Sequence, residues 1–178
     1  MDNQAVEIIA QFVTLGIDQE VFAVPVETVQ EILAMRPLFR VPDAPAYMAG
    51  LIDVRGRSAP VIDLRIKLGL PAAQATENSR ILVLEVPVSG RTLLLGLLAD
   101  RVFEVAALDS KQIEPPPDIG VRWRSDYISG VGRRNDGFVI IFDLARLFSA
   151  EDAAFLGAKT GGTPVVSEAE PTLALGAA

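Results

Sequence analysis

The 178-residue chain contains no cysteine and no histidine. Without cysteine there are no disulfides, thiolate nucleophiles or zinc clusters. Without histidine the commonest general base and the commonest metal ligand are both missing. Carboxylates or lysine can still support catalysis, but the composition weighs against an enzyme, and no cofactor or metal site is expected. Aromatics are also scarce, with eight Phe, two Tyr and one Trp, a poor supply for stacking nucleic-acid bases. Sixteen basic against 23 acidic residues leave a formal charge of −7, which opposes binding to phosphate backbones. That acidity reads as a device for solubility. No apolar run approaches the roughly 18 residues needed to span a bilayer. The start, Met1-Asp2-Asn3-Gln4, lacks the basic and apolar regions of a secretion signal. The expectation is a cytoplasmic protein that contacts neither nucleic acid nor the membrane interior. Half of its residues are apolar, enough for a core in one domain or in two small subdomains.

What is present is a repeat. Tyr47 precedes Gly50 by three residues, and Asp63-Leu64 begins 13 residues after that glycine. The same order and spacing recur at Tyr127, Gly130 and Asp143-Leu144. Upstream, Val29-Gln30-Glu31-Ile32 is echoed by Val102-Phe103-Glu104-Val105. Two copies cannot make a solenoid, but they can make a pair of fused barrels.

Local signals agree with a β protein. Gln11 to Ile17 and Val21 to Val24 read as a hairpin around Asp18-Gln19-Glu20, and Pro25 ends its second strand. Val26 to Leu33 is ambiguous, a helical turn leading into a short strand fitting as well as either alone. Pro37, Pro42 and Pro45 make the next stretch an extended loop. Leu51 to Val54 and Ala59 to Ile62 are strands flanking a turn at Arg55-Gly56-Arg57-Ser58. Asp63 fits a helix N-cap before Leu64, with Gly69 at the helix end and Pro71 blocking continuation. Ile81 to Val86 and Leu93 to Ala99 form a hairpin whose nearly continuous apolar character implies burial on both faces. In the second copy Asn135-Asp136-Gly137 signals a turn, Phe138 to Phe142 a strand, and Asp143 a cap. Glu114 to Asp118, with three prolines, reads as a rigid linker, and Ala150 to Leu156 as an added helical turn. From Gly157 the composition suits a disordered tail over 157–178. Many short strands and duplicated hairpins favour closed all-β barrels.

Several residues invite functional readings. Asp63 and Asp143 resemble a catalytic carboxylate pair, yet their repeat-equivalent placement before Leu favours two helix caps. Glu31 and Glu104, also repeat-equivalent, read as solvated or as partner contacts. Arg55, Arg57, Arg65 and Lys67 lie within 13 residues of an otherwise acidic chain. Such a basic patch suits bidentate recognition of a partner's carboxylate, although an arginine on an exposed turn is more often merely solvated. Gly130-Val131-Gly132 precedes a turn and not a helix, which argues against a phosphate loop. Trp123 reads as a loop anchor or an interface residue.

Val29 to Ile32, the proline-containing loop, Gly50-Leu51-Ile52-Asp53-Val54-Arg55-Gly56 and Pro60 to Arg65 resemble the CheW family of bacterial chemotaxis coupling proteins, as does Tyr127 through Leu147. That resemblance implies a CheW-like domain over about 6–156, built as two five-stranded SH3-like barrels around a shared core. The two subdomains are expected very roughly at 21–85 and 86–150, and intertwined. It further implies a non-catalytic adaptor that joins chemoreceptor cytoplasmic tips to the regulatory domain of the histidine kinase CheA, in arrays serving chemotaxis or another chemosensory output. By position it makes Val29, Glu31, Gly50 and Arg55 the receptor-contact candidates and leaves the kinase-contact residues unassigned. Asp53 stands where that family usually has Asn.

Overall fold

The alternating segment at the start and its apolar return fold as the expected hairpin. The computed structural model, which describes residues 9–116, 127–134, 137–148, 152 and 154–156, has β1 over Ile9–Ile17 and β2 over Glu20–Pro25. The segment that admitted two readings resolves as a single 3-10 turn over Val26–Thr28 leading into β3, Val29–Ala34. β4 (Met48–Val54) and β5 (Arg57–Asp63) run into a one-turn helix α1, Leu64–Lys67. A long hairpin follows, β6 (Arg80–Val88) and β7 (Arg91–Ala99), and then β8, Arg101–Asp109. After a second 3-10 turn come β9 (Ile113–Glu114), β10 (Ile128–Arg134), β11 (Gly137–Phe142) and α2, Leu144–Leu147. Asn135, Asp136, Trp123, most of the proline linker's end and the 157–178 tail lie outside the described residues. Among the described residues no helix is long and apolar enough to cross a membrane.

The strands form two curled sheets, one ordered β3-β6-β7-β5-β4 and the other β8-β1-β2-β11-β10-β9. They are two copies of one plan. β4 and β5 pair from Met48↔Ile62 to Gly50↔Val61 across a register shift, and β10 and β11 repeat that shift between Ile128↔Phe142 and Gly130↔Ile141. Each copy has one parallel contact, β5 with β7 and β11 with β2. Matching the copies this way makes β8 the counterpart of β3, and the β1–β2 hairpin the counterpart of β6–β7. Each half of the chain therefore donates its opening hairpin to the other half's barrel. A cut between residues 85 and 86 falls inside β6, which pairs with β7 along its whole length. The barrels thus interleave along the chain, because the exchanged hairpins carry central strands.

The strand count differs slightly from the expectation of five and five. Ile113 and Glu114 add a sixth strand to the second sheet by pairing with Gly132 and Val131. In the first sheet, among the described residues, the same edge of β4 is met by an isolated bridge, Phe39↔Leu51.

Burial follows from this doubling. In β6, Ile81 and Val83 face the first barrel's interior beside Ile52, Val61 and Leu94. The alternate residues Leu82 and Leu84 join a larger cluster with Leu15, Phe22, Leu95 and Phe142. From Ile81 to Leu84 both faces of that strand are dry, which explains its continuous apolar run there. The second barrel has its own interior of Phe12, Ala23, Leu108, Val139 and Ile141. The largest cluster lies between the sheets, where Phe22 and Phe142 stack with ring centroids 4.8 Å apart.

Candidate functional site

The site is built around the tip of the β4–β5 hairpin. Val54 pairs with Arg57, so the loop is only two residues, Arg55 and Gly56, at φ 52° and 81°. Two consecutive positive φ values are the signature of the hairpin turns whose twist matches the strands. Glycine takes that conformation freely, while Arg55 bears a cost of roughly 1 kcal/mol. The turn is tied by Asp53, whose Oδ1 accepts a hydrogen bond from the Gly56 N–H at 2.7 Å. The carboxylate at this position is therefore engaged by the turn backbone. The constrained hairpin projects the Arg55 side chain outward, 85% exposed, with its guanidinium 3.9 Å from Glu31 on β3. Next to it, Arg57 reaches across the sheet to Glu85 on β6 at 3.3 Å. Between these pairs lies a cleft of about 190 Å³. Gln30, Glu31, Arg55, Arg57 and Glu85 rim it, and the buried Val54, Val83 and Leu94 form its floor.

Of the four residues singled out by position, the structure brings Glu31 and Arg55 together and sets the other two elsewhere. Val29 is half-buried and packs against the core between the barrels. Gly50 has no side chain to offer a partner; it sits where a Cβ would lie 2.7 Å from the Phe39 carbonyl oxygen. Its role in this fold is to let the 38–39 segment approach β4 closely enough to form the Phe39–Leu51 bridge. Gly130 repeats the device, with Glu114 O 3.1 Å and an Ile113 methyl 2.6 Å from the missing Cβ.

The four basic residues of the first copy do not form one patch. Arg65 turns away from the cleft and makes a bidentate contact with Asp100, Nε to Oδ1 at 3.0 Å and Nη2 to Oδ2 at 2.8 Å. Asp100 also accepts from the Asp18 backbone N–H. This network joins α1, the β1–β2 turn and the β7–β8 junction, and so fastens one barrel to the other. Lys67 pairs with Asp152 at 2.8 Å and lies over the Tyr47 ring. Helix α1 directs its two cations sideways into structural partners, and only Arg55 and Arg57 remain at the cleft.

Burial alone would raise the Asp100 pKa. The hydrogen bonds from Arg65 and from the Asp18 amide, with the fields of Arg65 and Arg101, outweigh it and hold the carboxyl below its usual 3.8. A carboxyl depressed by folding stabilises the native state above its unfolded pKa and loses that contribution as pH falls through the folded one. Thermal melts between about pH 5 and 2 should therefore show stability falling on acidification, and Arg65→Ala should flatten that limb. An unchanged acid limb in Arg65→Ala would show that the pair does not set it.

The supposed catalytic carboxylates are each occupied at their own helix start. Asp63 accepts from the Arg65 N–H at 3.0 Å and Asp143 from the Arg146 N–H at 3.2 Å. Their own N–H groups donate to the Tyr47 and Tyr127 carbonyls at 2.7 and 2.8 Å. The shared Tyr, Gly and Asp-Leu spacing is thus the signature of one bulged hairpin and its capped helix. Each carboxylate thus serves as the helix cap that its repeat-equivalent placement favoured. Glu104, the counterpart of Glu31, likewise finds an arginine, Arg134.

Sequence reading missed Glu85 as a member of the site. It lies 28 residues from Arg57, and only the order β6-β7-β5 brings the two side chains to one rim. The only local hint was a lone acid inside an otherwise apolar strand.

A family model described as CheW-like domain matches residues 11–152. The chemotaxis protein CheW of Rhizobium meliloti is 32% identical over 135 residues, covering 76% of this chain and 84% of that protein. The chemotaxis protein CheW of Klebsiella aerogenes is 28% identical over 146 residues, covering 82% and 86%. Among solved structures, the scaffolding protein TtCheW from Thermoanaerobacter tengcongensis superposes with a TM-score of 0.72 at 28% identity, over 82% of this chain and 96% of that one.

Proposed function

This chain belongs to the CheW-like domain family, and from that premise we infer that it is a non-catalytic adaptor coupling chemoreceptor cytoplasmic tips to the histidine kinase CheA in chemotaxis signalling. The observation that carries this reading is the family match across both barrels, residues 11–152, in a fold shared with a protein described as a scaffold. The molecule's chemistry agrees with it. Asp63 and Asp143, the carboxylates first considered for catalysis, are engaged as helix caps, whereas the Arg55 hairpin presents charge to the outside on a rigid mount. In this reading the chain works in the cytoplasm, at receptor arrays. The receptor tip meets the first barrel through Arg55 and Glu31, with Val29 supporting that barrel from the core and Gly50 through the close approach of the 38–39 segment, and the kinase regulatory domain uses separate surface.

The reading is tested by Arg55→Glu. The substitution leaves the turn geometry available and places a second carboxylate beside Glu31. Affinity for a receptor cytoplasmic fragment is expected to fall by about tenfold or more, because a desolvated like-charge contact costs well over 1 kcal/mol. Association with the CheA regulatory domain should be unaffected in the same preparation. Unchanged receptor affinity would remove Arg55 from the interface.

A further inference from the structure

The doubled architecture supplies its own comparison for the cleft. The parallel contacts Val61↔Gly96 and Ile141↔Ala23 are equivalent in the two barrels. Counting from them along the antiparallel partners, Gly16 stands at the position of Glu85 and Gly137 at that of Arg57. Both barrels keep an acid on the edge strand paired to an arginine, Glu31 with Arg55 and Glu104 with Arg134. The second ion pair, Arg57 with Glu85, is present in the first barrel, and two glycines replace it in the second. There the space is taken by the Arg101 stem and an aromatic: a Cβ on Gly16 would lie 2.8 Å from the Arg101 Cγ and 3.1 Å from the Phe103 ring. One scaffold has been filled at this point in one copy, and left open and lined with charge in the other.

Exposure gives the open cleft a sign. Its guanidiniums are the outward members, Arg55 at 85% and Arg57 at 58%, while the carboxylates are withdrawn, Glu31 at 27% and Glu85 at 38%. On a chain of net charge −7, this rim presents two arginines above an apolar floor. We propose that Arg57 is a second carboxylate-receiving residue beside Arg55, that Glu85 positions it, and that the cleft selects a receptor segment carrying acidic side chains next to an apolar one. The proposal rests on the reading that the cleft receives the receptor tip. The apolar side chain enters over Val54, Val83 and Leu94, and its acidic neighbours meet the two planar guanidiniums, which suit carboxylates in bidentate geometry. Glu85 holds the Arg57 side chain extended across β7 and so reduces the rotamer freedom lost on binding.

The test is calorimetric titration of the full chain with a chemoreceptor cytoplasmic tip fragment at low and high salt, with the CheA regulatory domain as a parallel titrant. Arg57→Ala is expected to weaken receptor binding about fivefold at low salt, as befits an exposed charge contact. It should also make the affinity less dependent on salt, and it should leave kinase-domain binding unchanged. Glu85→Gln should weaken receptor binding about twofold by loosening Arg57. If Arg57→Ala melts early, Arg57→Gln keeps the side-chain stem and carries the same test. Equal affinity and equal salt dependence in the Arg57 variant would overturn this inference alone. A wild-type chain that binds the kinase domain but ignores the receptor fragment would overturn the receptor reading, and this inference with it.

Discussion

Phe22→Ala is expected to lower the unfolding free energy by about 3–5 kcal/mol, the range for removing a buried aromatic ring. Phe22 is fully buried on β2 and stacks on Phe142 of β11, with the two rings within 3° of parallel. Those strands are one of the parallel contacts created by hairpin exchange. The ring also belongs to the large cluster that holds residues of both sheets. Its loss leaves a void that neither barrel can close alone. Because the halves share this core and exchange hairpins, denaturant unfolding should remain one transition, with its midpoint lowered and its slope nearly unchanged. Two separated transitions, in the wild type or the variant, would show that the barrels are independent units.

Gly50→Ala is expected to cost about 2–3 kcal/mol, at the upper end of overpacking effects. The added methyl would lie 2.7 Å from the Phe39 carbonyl oxygen and 2.9 Å from the Leu38 Cβ. Backbone cannot yield as a side-chain end can, so the Phe39–Leu51 hydrogen bonds, at 2.7 and 2.9 Å, should break instead. Loss of amide protection at Phe39 and Leu51, measured by hydrogen exchange alongside the melt, would locate the damage. Protection retained at wild-type level with no loss of stability would refute the close-approach account. The variant also separates two meanings of a sensitive glycine. A receptor defect here arises from displaced strand pairing, since glycine contributes no side chain to an interface.

Much of the fold was legible because the determinants are local. The Tyr47, Gly50 and Asp63 spacing reports a bulged hairpin and its cap, and the second copy reports it again at Tyr127, Gly130 and Asp143. The echo of Val29-Gln30-Glu31-Ile32 in Val102 to Val105 falls on β3 and β8, the edge strands at equivalent places in the two sheets. Hairpin exchange was not legible in its details, because periodicity identifies strands without naming their partners. The rough division near residue 85 shows the consequence. The same gap explains the basic cluster. Proximity in sequence put Arg65 and Lys67 beside Arg55 and Arg57, but a single turn of helix turned the first two toward Asp100 and Asp152. Glu31 and Arg55 came together across 24 residues and Arg57 with Glu85 across 28, both through sheet order, which periodicity does not report. Exposed Phe103, Val105 and Phe138 on the second sheet carried no distinctive sequence signal.

The most direct measurement is sedimentation of a receptor cytoplasmic fragment and CheA, each labelled, with and without this chain. The account predicts a faster species containing all three proteins when the chain is present, and much weaker receptor–kinase co-sedimentation when it is withheld. A chain that sediments alone, touching neither receptor nor kinase, would contradict it.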